Sequence, residues 1–515
     1  MFNPSPQQAA VAEWVKNGSG HLNLVARAGC GKTSTLLWIA PMLQGCSIFL
    51  AYNKAIAEEI KLKLKASGIE WKQCEGSTFH AIGFRAWRKA HPHVVVDDRK
   101  VDGIINTMAQ DALQRNDVRM NRILGEGGQS IKQLVSLAKQ QAFGHEAQGT
   151  GEDWAQIINH HDIDNSTEAT QQELIAIAQD IYRRSIALNP TTIDYDDMIL
   201  APLVGRCRFW QYDWVMVDEA QDTNPARRAL AMCLLKRSGR LIAVGDPRQA
   251  IYGFTGADAD AMDIIARRLH STTLPLNVTY RCPRAIVAHA NSIVPDITAH
   301  ESAPEGSVWE IPFIADEGDS FDDLVDGLGA EDAILCRTAK PLVGLAYYLI
   351  KRGKGCRVEG REIGKGLIAL ATRWKRVKGV KALRNKLSAW ASTEMAKAIS
   401  KGNETKAQSI EDRVDTLGVV CDHVGDDGTV AEVVNQINRL FGDTPPGVSL
   451  PNVVTLATVH KSKGREWDRV FIIDRAKLMP SRWAKLAWQA HQEQNLIYVA
   501  ITRAKQTLVE VDGWA

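Results

Sequence analysis

The chain has 515 residues, of which 45% are hydrophobic and 24% are charged, and this composition is typical of a folded globular protein. It excludes collagen-like, coiled-coil and mainly disordered classes, and the length predicts about three or four domains or subdomains. The chain contains 62 Lys and Arg residues and 60 Asp and Glu residues, so its net charge is only +2. A nucleic-acid partner would therefore have to be held by a local groove.

The first elements predicted along the chain alternate between helix and strand. A helix over residues 7–16 precedes an apolar strand over 22–25, a glycine-bearing turn, a second helix and a strand over 47–51. Strands that alternate with helices favour a parallel α/β sheet. From residue 84 to 188 glycines interrupt polar helical patterns and strand patterns are scarce, which predicts a helical insertion.

Strand patterns return in the second half of the chain. Apolar runs lie at 214–217 and 241–244, and further runs at 333–336, 453–456 and 470–473 indicate a second α/β core. The predicted organisation is core 1 over residues 1–83 and 189–270, its helical insertion over 84–188, core 2 over 271–361 and 451–515, and a short insertion in core 2 over 362–450.

Two blocks of like charge stand out. Residues 316–332 hold eight carboxylates without Lys or Arg, and residues 351–386 hold 13 Lys and Arg against two Glu. The basic block is either a solvated helix face or a surface for a phosphate backbone. We take the second interpretation as a hypothesis, in which the block forms an edge of core 2 that contacts a duplex or a single strand.

The turn after the first strand fits a phosphate-binding motif. Residues 26–33 match the pattern G-x-x-x-x-G-K-[ST], except that Ala26 replaces the first glycine. Gly29 and Gly31 let backbone N–H groups approach phosphate oxygens at a helix N-terminus, whose dipole favours an anion. Lys32 would reach the β- and γ-phosphates, and Thr33 would offer its hydroxyl to Mg²⁺.

An acidic pair follows the apolar run at 214–217. Asp218 is placed to hold Mg²⁺, and Glu219 to orient or deprotonate a water that attacks the γ-phosphate. The alternative is an acidic cluster at a helix N-terminus. One strand later, residues 245–254 form either a further motif or a loop with a core aromatic pair.

With these segments in this order, the chain resembles the UvrD/Rep-like branch of the superfamily-1 helicases. The matching motifs begin, in chain order, at Gln7, Ala26, Tyr52, Thr78, Asp194, Asp218, Gly245, Thr279, Arg337, Thr458 and Leu496. The series extends over nearly the whole chain, and so many motifs in order leave little room for coincidence.

The resemblance implies an α/β fold with two RecA-like P-loop cores, each a parallel sheet flanked by helices and carrying a mainly helical insertion, with ATP between the cores. The residues that it assigns to catalysis are Lys32, Glu219, the γ-phosphate sensor Gln249, and the arginine fingers Arg281 and Arg503. The residues that it assigns to ATP binding are Gln7 and Tyr280 on the adenine, Glu466 on the ribose, and Ala28, Gly29, Cys30, Gly31, Lys32, Thr33 and Ser34 around the phosphates. Thr33 and Asp218 would hold Mg²⁺.

The resemblance also implies contacts to single-stranded DNA and to junctions between single and double strands. The residues that it assigns to nucleic acid are Tyr52, Lys54, Thr78, His80, Tyr252, Phe254 and His460. Every base has a π-face, so stacking on aromatic side chains tolerates any sequence, although core packing is the commoner fate of an aromatic residue. Stacking does not read the 2′-hydroxyl, so RNA stays open as a substrate.

Three positions depart from the family pattern. Arg27 stands where motif I usually has Gly, Thr255 where motif III usually has Arg, and Asn495 where an Arg usually precedes motif VI. The insertion after Arg361 is also much shorter than in the longer members. We expect the ATPase site to be retained and one DNA-side or inter-core contact to be lost or relocated.

The nine cysteines form no C-x-x-C pair, and their odd number argues against a disulfide framework or a zinc ribbon. The N-terminus has no signal-peptide pattern, and no apolar run approaches the about 18 residues that span a bilayer. We expect a cytoplasmic monomer without a membrane partner.

The leading hypothesis is an ATP-driven translocase and helicase on single-stranded DNA, with 3′→5′ movement implied by the family alone. One alternative is a DNA-stimulated ATPase that displaces proteins, or that drives a defence or recombination complex, without robust unwinding by itself. Another is a P-loop switch whose partner is a protein.

Overall fold

The computed structural model describes residues 3–161, 163, 167–251, 260–314, 320–400, 404–441 and 453–514. The chain divides into two compact units, unit 1 (Met1–Asn277) and unit 2 (Val278–Ala515). Across the described ranges no helix combines the length and the apolar character needed to cross a lipid bilayer.

Unit 1 is built on a six-stranded parallel sheet, and two further short strands pair separately. The strands are β1 (Leu22–Ala26), β2 (Ser47–Ala51), β3 (Cys74–Thr78), β4 (Val95–Val96), β5 (Thr192–Ile193), β6 (Tyr212–Val217), β7 (Leu235–Gly245) and β8 (Thr272–Leu276). The order across the sheet is β3-β2-β6-β7-β1-β8, and β4 pairs with β5. All five residues of β2 are buried, as expected for a parallel strand covered on both faces.

Helices cover both faces of this sheet. They are α1 (Pro6–Asn17), α2 (Lys32–Ile39), α3 (Lys54–Ala66), α4 (Phe79–Ala90), α5 (Lys100–Gln114), α6 (Val118–Gln140), α7 (Gly151–His161), α8 (Gln171–Leu188), α9 (Asp197–Val204), α10 (Pro225–Cys233) and α11 (Ala261–Leu269). Side chains alternate along β6. Trp214 and Met216 pack with α1, α2 and α3, whereas Val215 and Val217 pack with α4, α9, α10 and α11.

Helices α5 to α8 have a hydrophobic core of their own. Ile131, Leu134, Trp154 and Ile181 belong to a cluster distinct from the two clusters that cover the sheet. The chain enters this region after β4 and leaves it at β5, and these two strands pair side by side. The mainly helical insertion predicted for core 1 is therefore a helical subdomain with a separate core.

Buried ion pairs fasten this subdomain to the sheet layer. Lys139 Nζ on α6 lies 2.5 Å from Asp194 Oδ2 and 2.9 Å from Asp197 Oδ1, and Lys100 Nζ on α5 lies 2.7 Å from Asp197 Oδ2. The side chains of Lys139 and Asp197 have no exposed surface. Burial by itself would lower the pKa of Lys139, but the charges of Asp197 and Asp194 more than offset it and raise the pKa.

Unit 2 contains a second six-stranded parallel sheet. The strands of this unit are β9 (Val278–Thr279), β10 (Thr298–Ala299), β11 (Ser307–Pro312), β12 (Asp332–Cys336), β13 (Cys356–Val358), β14 (Val454–Thr458), β15 (Trp467–Ile473) and β16 (Ala504–Asp512). The order across the sheet is β11-β16-β15-β12-β14-β13, and β9 pairs with β10.

Most helices of unit 2, including α13 to α18, share one hydrophobic core with the sheet. They are α12 (Arg284–Ala290), α13 (Phe321–Leu324), α14 (Ala339–Lys351), α15 (Arg361–Ala371), α16 (Val380–Ser400), α17 (Glu404–Val424), α18 (Val430–Phe441), α19 (Val459–Ser462), α20 (Arg475–Leu478) and α21 (Ala487–Ile501). Leu383, Leu417 and Ile437 of the insertion helices cluster with Ile334 of β12 and Phe471 of β15. In the described residues the insertion therefore extends the core of its sheet.

The predicted fold class is confirmed, since each unit holds a parallel sheet flanked by helices with a mainly helical insertion. Every strand predicted from an apolar run is present. The strands that the sequence analysis missed include all four sheet edges, β3, β8, β11 and β13, and also β16. Edge strands are only partly covered, so they carry polar residues and lack the continuous apolar run of a buried parallel strand.

The buried ion pairs predict the effect of removing one cation. In Lys139→Ala, the Asp194 and Asp197 carboxylates would be left buried with too little positive charge, so the free energy of unfolding should fall by about 3–5 kcal/mol. The measurement is urea unfolding of the full chain. The control is Lys63→Ala, which breaks the exposed pair with Glu59 and should cost less than about 1 kcal/mol. Equal losses in the two variants would contradict the interpretation.

Candidate functional site

The turn between β1 and α2 has the backbone geometry of a phosphate cradle. β1 ends at Ala26 and α2 begins at Lys32. Gly29 and Gly31 have φ angles of 71° and 73°, in the left-handed region that glycine adopts without strain. A Cβ atom on Gly31 would also lie only 3.2 Å from Gln8 Nε2. The strand–turn–helix context that the motif requires is therefore present.

Four predicted side chains meet at the carboxyl edge of the unit 1 sheet. Thr33 Oγ1 donates a hydrogen bond to Asp218 Oδ2 over 2.8 Å, and Lys32 Nζ lies 3.3 Å from Glu219 Oε1. The two pairs come from segments that follow β1 and β6, which run parallel, so their loops emerge at the same edge. Thr33 and Asp218 are 185 positions apart in the sequence, and the sheet brings them together.

Electrostatics in this site favour a cation. Burial, together with the charge of Glu219, raises the pKa of Asp218 to about 6. Burial would lower the pKa of Lys32, but the charges of Glu219, Asp246 and Asp218 more than offset it and raise the pKa. Lys32 therefore remains an ammonium at neutral pH, and it is surrounded by more negative charge than it neutralises.

Asp246 connects the acidic pair to Gln249. Gln249 Nε2 donates to Asp246 Oδ2 over 2.7 Å, and Arg27 Nη1 lies 3.2 Å from Asp246 Oδ1. Gln221 accepts from the Asp246 backbone N–H and donates to Glu219 Oε2. The γ-phosphate sensor predicted at Gln249 is thus linked to the predicted base Glu219 through two residues, Asp246 and Gln221. Arg27, where the family pattern has Gly, has its partner in Asp246.

Gln7, predicted to read adenine, lies at the end of β8. Its side-chain nitrogen donates to Asn277 Oδ1 over 2.5 Å, and its side-chain oxygen accepts from the Asn277 backbone N–H at 3.0 Å. Both ends of the amide are therefore engaged with Asn277. The remaining residues assigned to the phosphates lie in the same turn: Ala28 and Cys30 are buried, and Ser34 is exposed.

In unit 2 the structure brings Arg281 and Glu466 together. The Arg281 guanidinium forms an ion pair with the Glu466 carboxylate. Tyr280, the predicted adenine-stacking residue, is 45% exposed, and its ring lies 4.8 Å from the ring of His300. A half-exposed ring next to a charged pair suits contact with a planar ligand.

Arg503 is buried in the same unit. Its guanidinium donates to the carbonyl oxygens of Val499 and Arg465, at 2.9 and 3.1 Å, and to Thr502 Oγ1 at 3.1 Å. Both predicted arginine fingers therefore contact neighbouring residues of one segment, Arg281 at Glu466 and Arg503 at Arg465.

Two of the residues assigned to nucleic acid in unit 1, Tyr52 and His80, line an open cleft, whose volume including the solvent at its mouth is about 550 Å³. Its lining includes Tyr52, His80 and Arg227. The Arg227 guanidinium lies 4.9 Å from the centre of the Tyr52 ring, in a cation–π arrangement. Burial, together with Arg227, lowers the pKa of His80 to about 4, so this imidazole is neutral at physiological pH. Lys54 is exposed at the start of α3, and Thr78 Oγ1 caps α4 through the Ala81 N–H.

His460, assigned to nucleic acid in unit 2, is also neutral. Burial, together with the charge of Arg337, lowers its pKa to about 3. Arg337 itself forms a bidentate pair with Glu493. Tyr252, Phe254 and Thr255 lie outside the described residues.

Thr33 and Asp218 fit a magnesium ion. A hydroxyl and a carboxylate are hard oxygen donors, and the two side chains already meet across 2.8 Å. In the ranges given above for the described chain, no group of three or more His, Cys, Asp or Glu side chains suits a metal ion. One hydroxyl and one carboxylate match a cation that is held mainly by water and by nucleotide phosphates.

Two residues of this region could not be identified from the sequence. Asp246 lies inside a segment that was singled out, but its part in holding Arg27 and Gln249 depends on contacts that spacing does not reveal. Arg227 lies on α10, which carries no assigned motif residue, and nothing in the sequence placed it over Tyr52.

Comparison with known proteins gives two matching family models. Residues 5–269 match the UvrD/REP helicase N-terminal domain, and residues 454–509 match the UvrD-like helicase C-terminal domain. The first match lies in unit 1 and includes its helical insertion, and the second lies in unit 2 and covers β14, β15 and most of β16.

Several curated proteins are similar to the chain. An ATP-dependent DNA helicase PcrA from Leuconostoc citreum is 28% identical over 304 residues, which cover 55% of this chain and 38% of the relative. The F-box DNA helicase protein 1 of Schizosaccharomyces pombe is 24% identical over 536 residues, which cover 98% of this chain and 57% of the relative. The chain therefore spans from about two fifths to somewhat over half of the length of these relatives.

The N-terminal family model covers more than half of the 515 residues. The matched residues include the glycine turn and the acidic pair of unit 1 described above. This protein belongs to the UvrD/Rep helicase family.

Proposed function

We propose that this chain is an ATP-dependent translocase and helicase on single-stranded DNA that acts as a monomer. One observation carries the proposal: Thr33 meets Asp218 and Lys32 meets Glu219 at the carboxyl edge of one parallel sheet. This is the arrangement that phosphoryl transfer requires, with a cation for the phosphates, oxygen donors for a metal ion and a carboxylate for the water. Family membership supports the extension from ATPase to DNA motor.

In the proposed mechanism Lys32 stabilises the charge on the β- and γ-phosphates, and Thr33 and Asp218 would hold a magnesium ion. The metal ion would supply further positive charge next to the transferring phosphoryl group. Glu219 orients the attacking water and accepts its proton. We propose that Gln249, held by Asp246, responds to the γ-phosphate and relays the change through Asp246 and Gln221 to Glu219.

Arg281 and Arg503 are proposed as the arginine fingers. Each guanidinium is already bound within unit 2, Arg281 by Glu466 and Arg503 by carbonyl oxygens. We propose that the phosphates of ATP replace the Glu466 carboxylate as acceptors for Arg281, while the ribose hydroxyls replace the Arg281 guanidinium as donors to Glu466. Tyr280 is proposed to stack on the face of the adenine, and Gln7 is proposed to contact its edge.

Single-stranded DNA is proposed to lie across the cleft of Tyr52, His80 and Arg227. The Tyr52 ring offers a stacking surface, Arg227 a charge for a phosphate, and His80 a neutral hydrogen-bonding group. Lys54, Thr78 and His460 are proposed as contacts to the backbone, together with the sequence-assigned Tyr252 and Phe254. Movement in the 3′→5′ direction is part of this proposal and is supported by family membership alone.

The Lys32→Ala variant tests the ATPase proposal. Without the ammonium, the γ-phosphate loses its main cation and the three neighbouring carboxylates repel it, so kcat should fall at least about 100-fold. The measurement is the steady-state ATPase rate with Mg²⁺ alone and with single-stranded DNA, duplex DNA or single-stranded RNA. Lys16→Ala, which removes an exposed lysine of α1, is the control and should keep the wild-type rate. An ATPase rate that no nucleic acid stimulates would favour a switch that acts on a protein.

Unwinding tests the helicase part and the polarity. Duplexes with a 3′ or a 5′ single-stranded tail are mixed with the wild-type chain and ATP, and strand separation is followed by fluorescence. We expect unwinding from the 3′ tail only. Unwinding from 5′ tails alone would reject the polarity. DNA-stimulated ATP hydrolysis without strand separation would favour the alternative of a protein-displacing motor or a motor subunit.

The neutral state of His460 predicts a pH effect on stability. Its pKa is lowered from 6.5 to about 3 on folding, so between these values the unfolded chain binds more protons and the folded state loses stability as the pH falls. At pH 5 this loss amounts to about 2 kcal/mol, and His460→Gln should remove it because glutamine does not titrate. The midpoint of urea unfolding is measured from pH 7.5 to 5, with His93→Gln at an exposed histidine as the control. Parallel curves for wild type and His460→Gln would show that His460 is not held neutral.

A further inference from the structure

A groove opens beside β3, an edge strand of the unit 1 sheet. Its floor is β3, one wall is α3, the other wall is α4, and the loop that leads into β3 lines its end. Counted with the solvent at its mouth, the groove has a volume of about 1590 Å³. Its lining includes no residue assigned to ATP or to nucleic acid, so the proposed mechanism leaves this groove unused.

The edge of β3 directs main-chain hydrogen-bonding groups toward the groove. The Ser47 N–H donates to the Gln73 carbonyl over 2.9 Å, and the parallel register with β2 makes Glu75 and Ser77 direct their main-chain groups toward β2 as well. The N–H and C=O of Gly76 therefore point the other way, into the groove. Among the described residues the structure gives these two groups no partner. A further strand laid beside β3 would supply one.

β3 lacks the features that usually protect the edge of a sheet against a further strand. It contains no Lys or Pro, and its register with β2 is continuous over five residues. Its one carboxylate, Glu75, is engaged by Arg85 of α4 and by the Tyr212 hydroxyl. By contrast, the edge strands β8 and β11 contain Pro275 and Pro312, and β13 has only three residues. Of the four edges, β3 is therefore the best suited to accept a strand.

The two walls of the groove differ in character. Cys74 and the Cβ position of Gly76 face α3, and on this side the apolar residues Leu64 and Ile69 line the groove. Glu75, at the position between them, faces α4. The side chains of an added strand would alternate in the same way. Every second side chain would therefore meet the apolar wall, and the others would meet α4.

Positive charge surrounds the groove. Residues 54–90, which contain α3, β3 and α4, hold eight Lys or Arg against four Glu, a net charge of +4 in a chain whose total is +2. α4 carries three Lys or Arg and no carboxylate. Lys65 and Lys72 are exposed at the rim, and within the described ranges the structure gives them no ion pair. The charge therefore favours an occupant with carboxylates.

We propose that this groove binds an extended acidic peptide of a partner protein, which pairs with β3 as a seventh strand of the unit 1 sheet. Hydrogen bonds to the main chain of Gly76 hold the peptide, its apolar side chains pack on Leu64 and Ile69, and its carboxylates meet the cations of α4 and of the rim. Trp71, which is 72% exposed where the chain enters β3, is covered by the bound peptide.

The test compares two substitutions of Gly76 in the full chain. Gly76→Pro removes the N–H that faces the groove, whereas Gly76→Ala, the matched control, adds a Cβ atom and keeps the N–H. The probe is a fluorescent peptide of about ten residues in which Glu and Val alternate, and its affinity is measured by fluorescence anisotropy. We expect wild type and Gly76→Ala to bind it within about twofold of each other, and Gly76→Pro to bind it about 10-fold more weakly. The same peptide with Lys in place of Glu should not bind.

A second variant leaves the strand untouched. Lys65→Glu with Lys72→Glu reverses the charge of the rim, so it should weaken the acidic peptide at least about 5-fold at low salt. Its control is Lys16→Glu with Lys351→Glu, two exposed lysines outside residues 54–90, which should bind as wild type does. Urea unfolding of each variant shows whether it is folded, and if Gly76→Pro is not, the rim variant and its control decide the test.

Failure of the acidic peptide to bind wild type would overturn the proposal. Equal affinities for Gly76→Pro and Gly76→Ala, when both are folded, or for the rim variant and its control, would also overturn it. Self-association of wild type that Gly76→Pro abolishes would make a second copy of this chain the occupant. Displacement of the peptide by oligothymidine, with an equal loss of oligothymidine affinity in the rim variant, would assign the groove to nucleic acid instead.

Discussion

The buried ammonium of Lys32 is the interaction on which the unit 1 site depends. The charges of Glu219, Asp246 and Asp218 all raise its pKa. These carboxylates come from the loops after β6 and β7. Without a central cation these loops would place three carboxylates together in a region with little water, which is strongly unfavourable. Lys32 therefore allows the loops to converge before any nucleotide binds, and its position at the start of α2 is fixed by the glycine turn.

The balance of carboxylates and cations in the site also explains why a metal ion is expected there. Burial, together with the charge of Glu219, keeps the pKa of Asp218 raised even beside Lys32. The carboxylates of Asp218, Glu219 and Asp246 also outnumber the two cations, Lys32 and Arg27. A nucleotide triphosphate would add several negative charges to this excess. A divalent cation next to Thr33 and Asp218 reverses the balance, so nucleotide and metal ion are expected to enter together.

The sequence was most informative where the chemistry is local. The residues of the glycine turn follow one another directly in the sequence, and so do the two residues of the acidic pair. The apolar runs of the central strands are long enough to be recognised without the structure. The edge strands were missed because partial exposure removes their apolar pattern, as in the Cys-Glu-Gly-Ser-Thr of β3. The link from Asp246 to Arg27 joins positions 219 residues apart, and the ion pair of Arg281 with Glu466 is similarly distant, so neither follows from spacing.

The first insertion leaves and re-enters unit 1 through the paired strands β4 and β5, where Val95 lies opposite Thr192. Its two ends are therefore about one strand spacing apart, roughly 5 Å, and a linker of a few residues could close the gap. By geometry alone this subdomain is a module that evolution or an engineer could exchange between relatives. Lys100 and Lys139 restrict that freedom, because they are the counterions of carboxylates that remain behind in the host. A transplanted module would fit only if it carried matching cations, so the two parts are constrained to change as a pair.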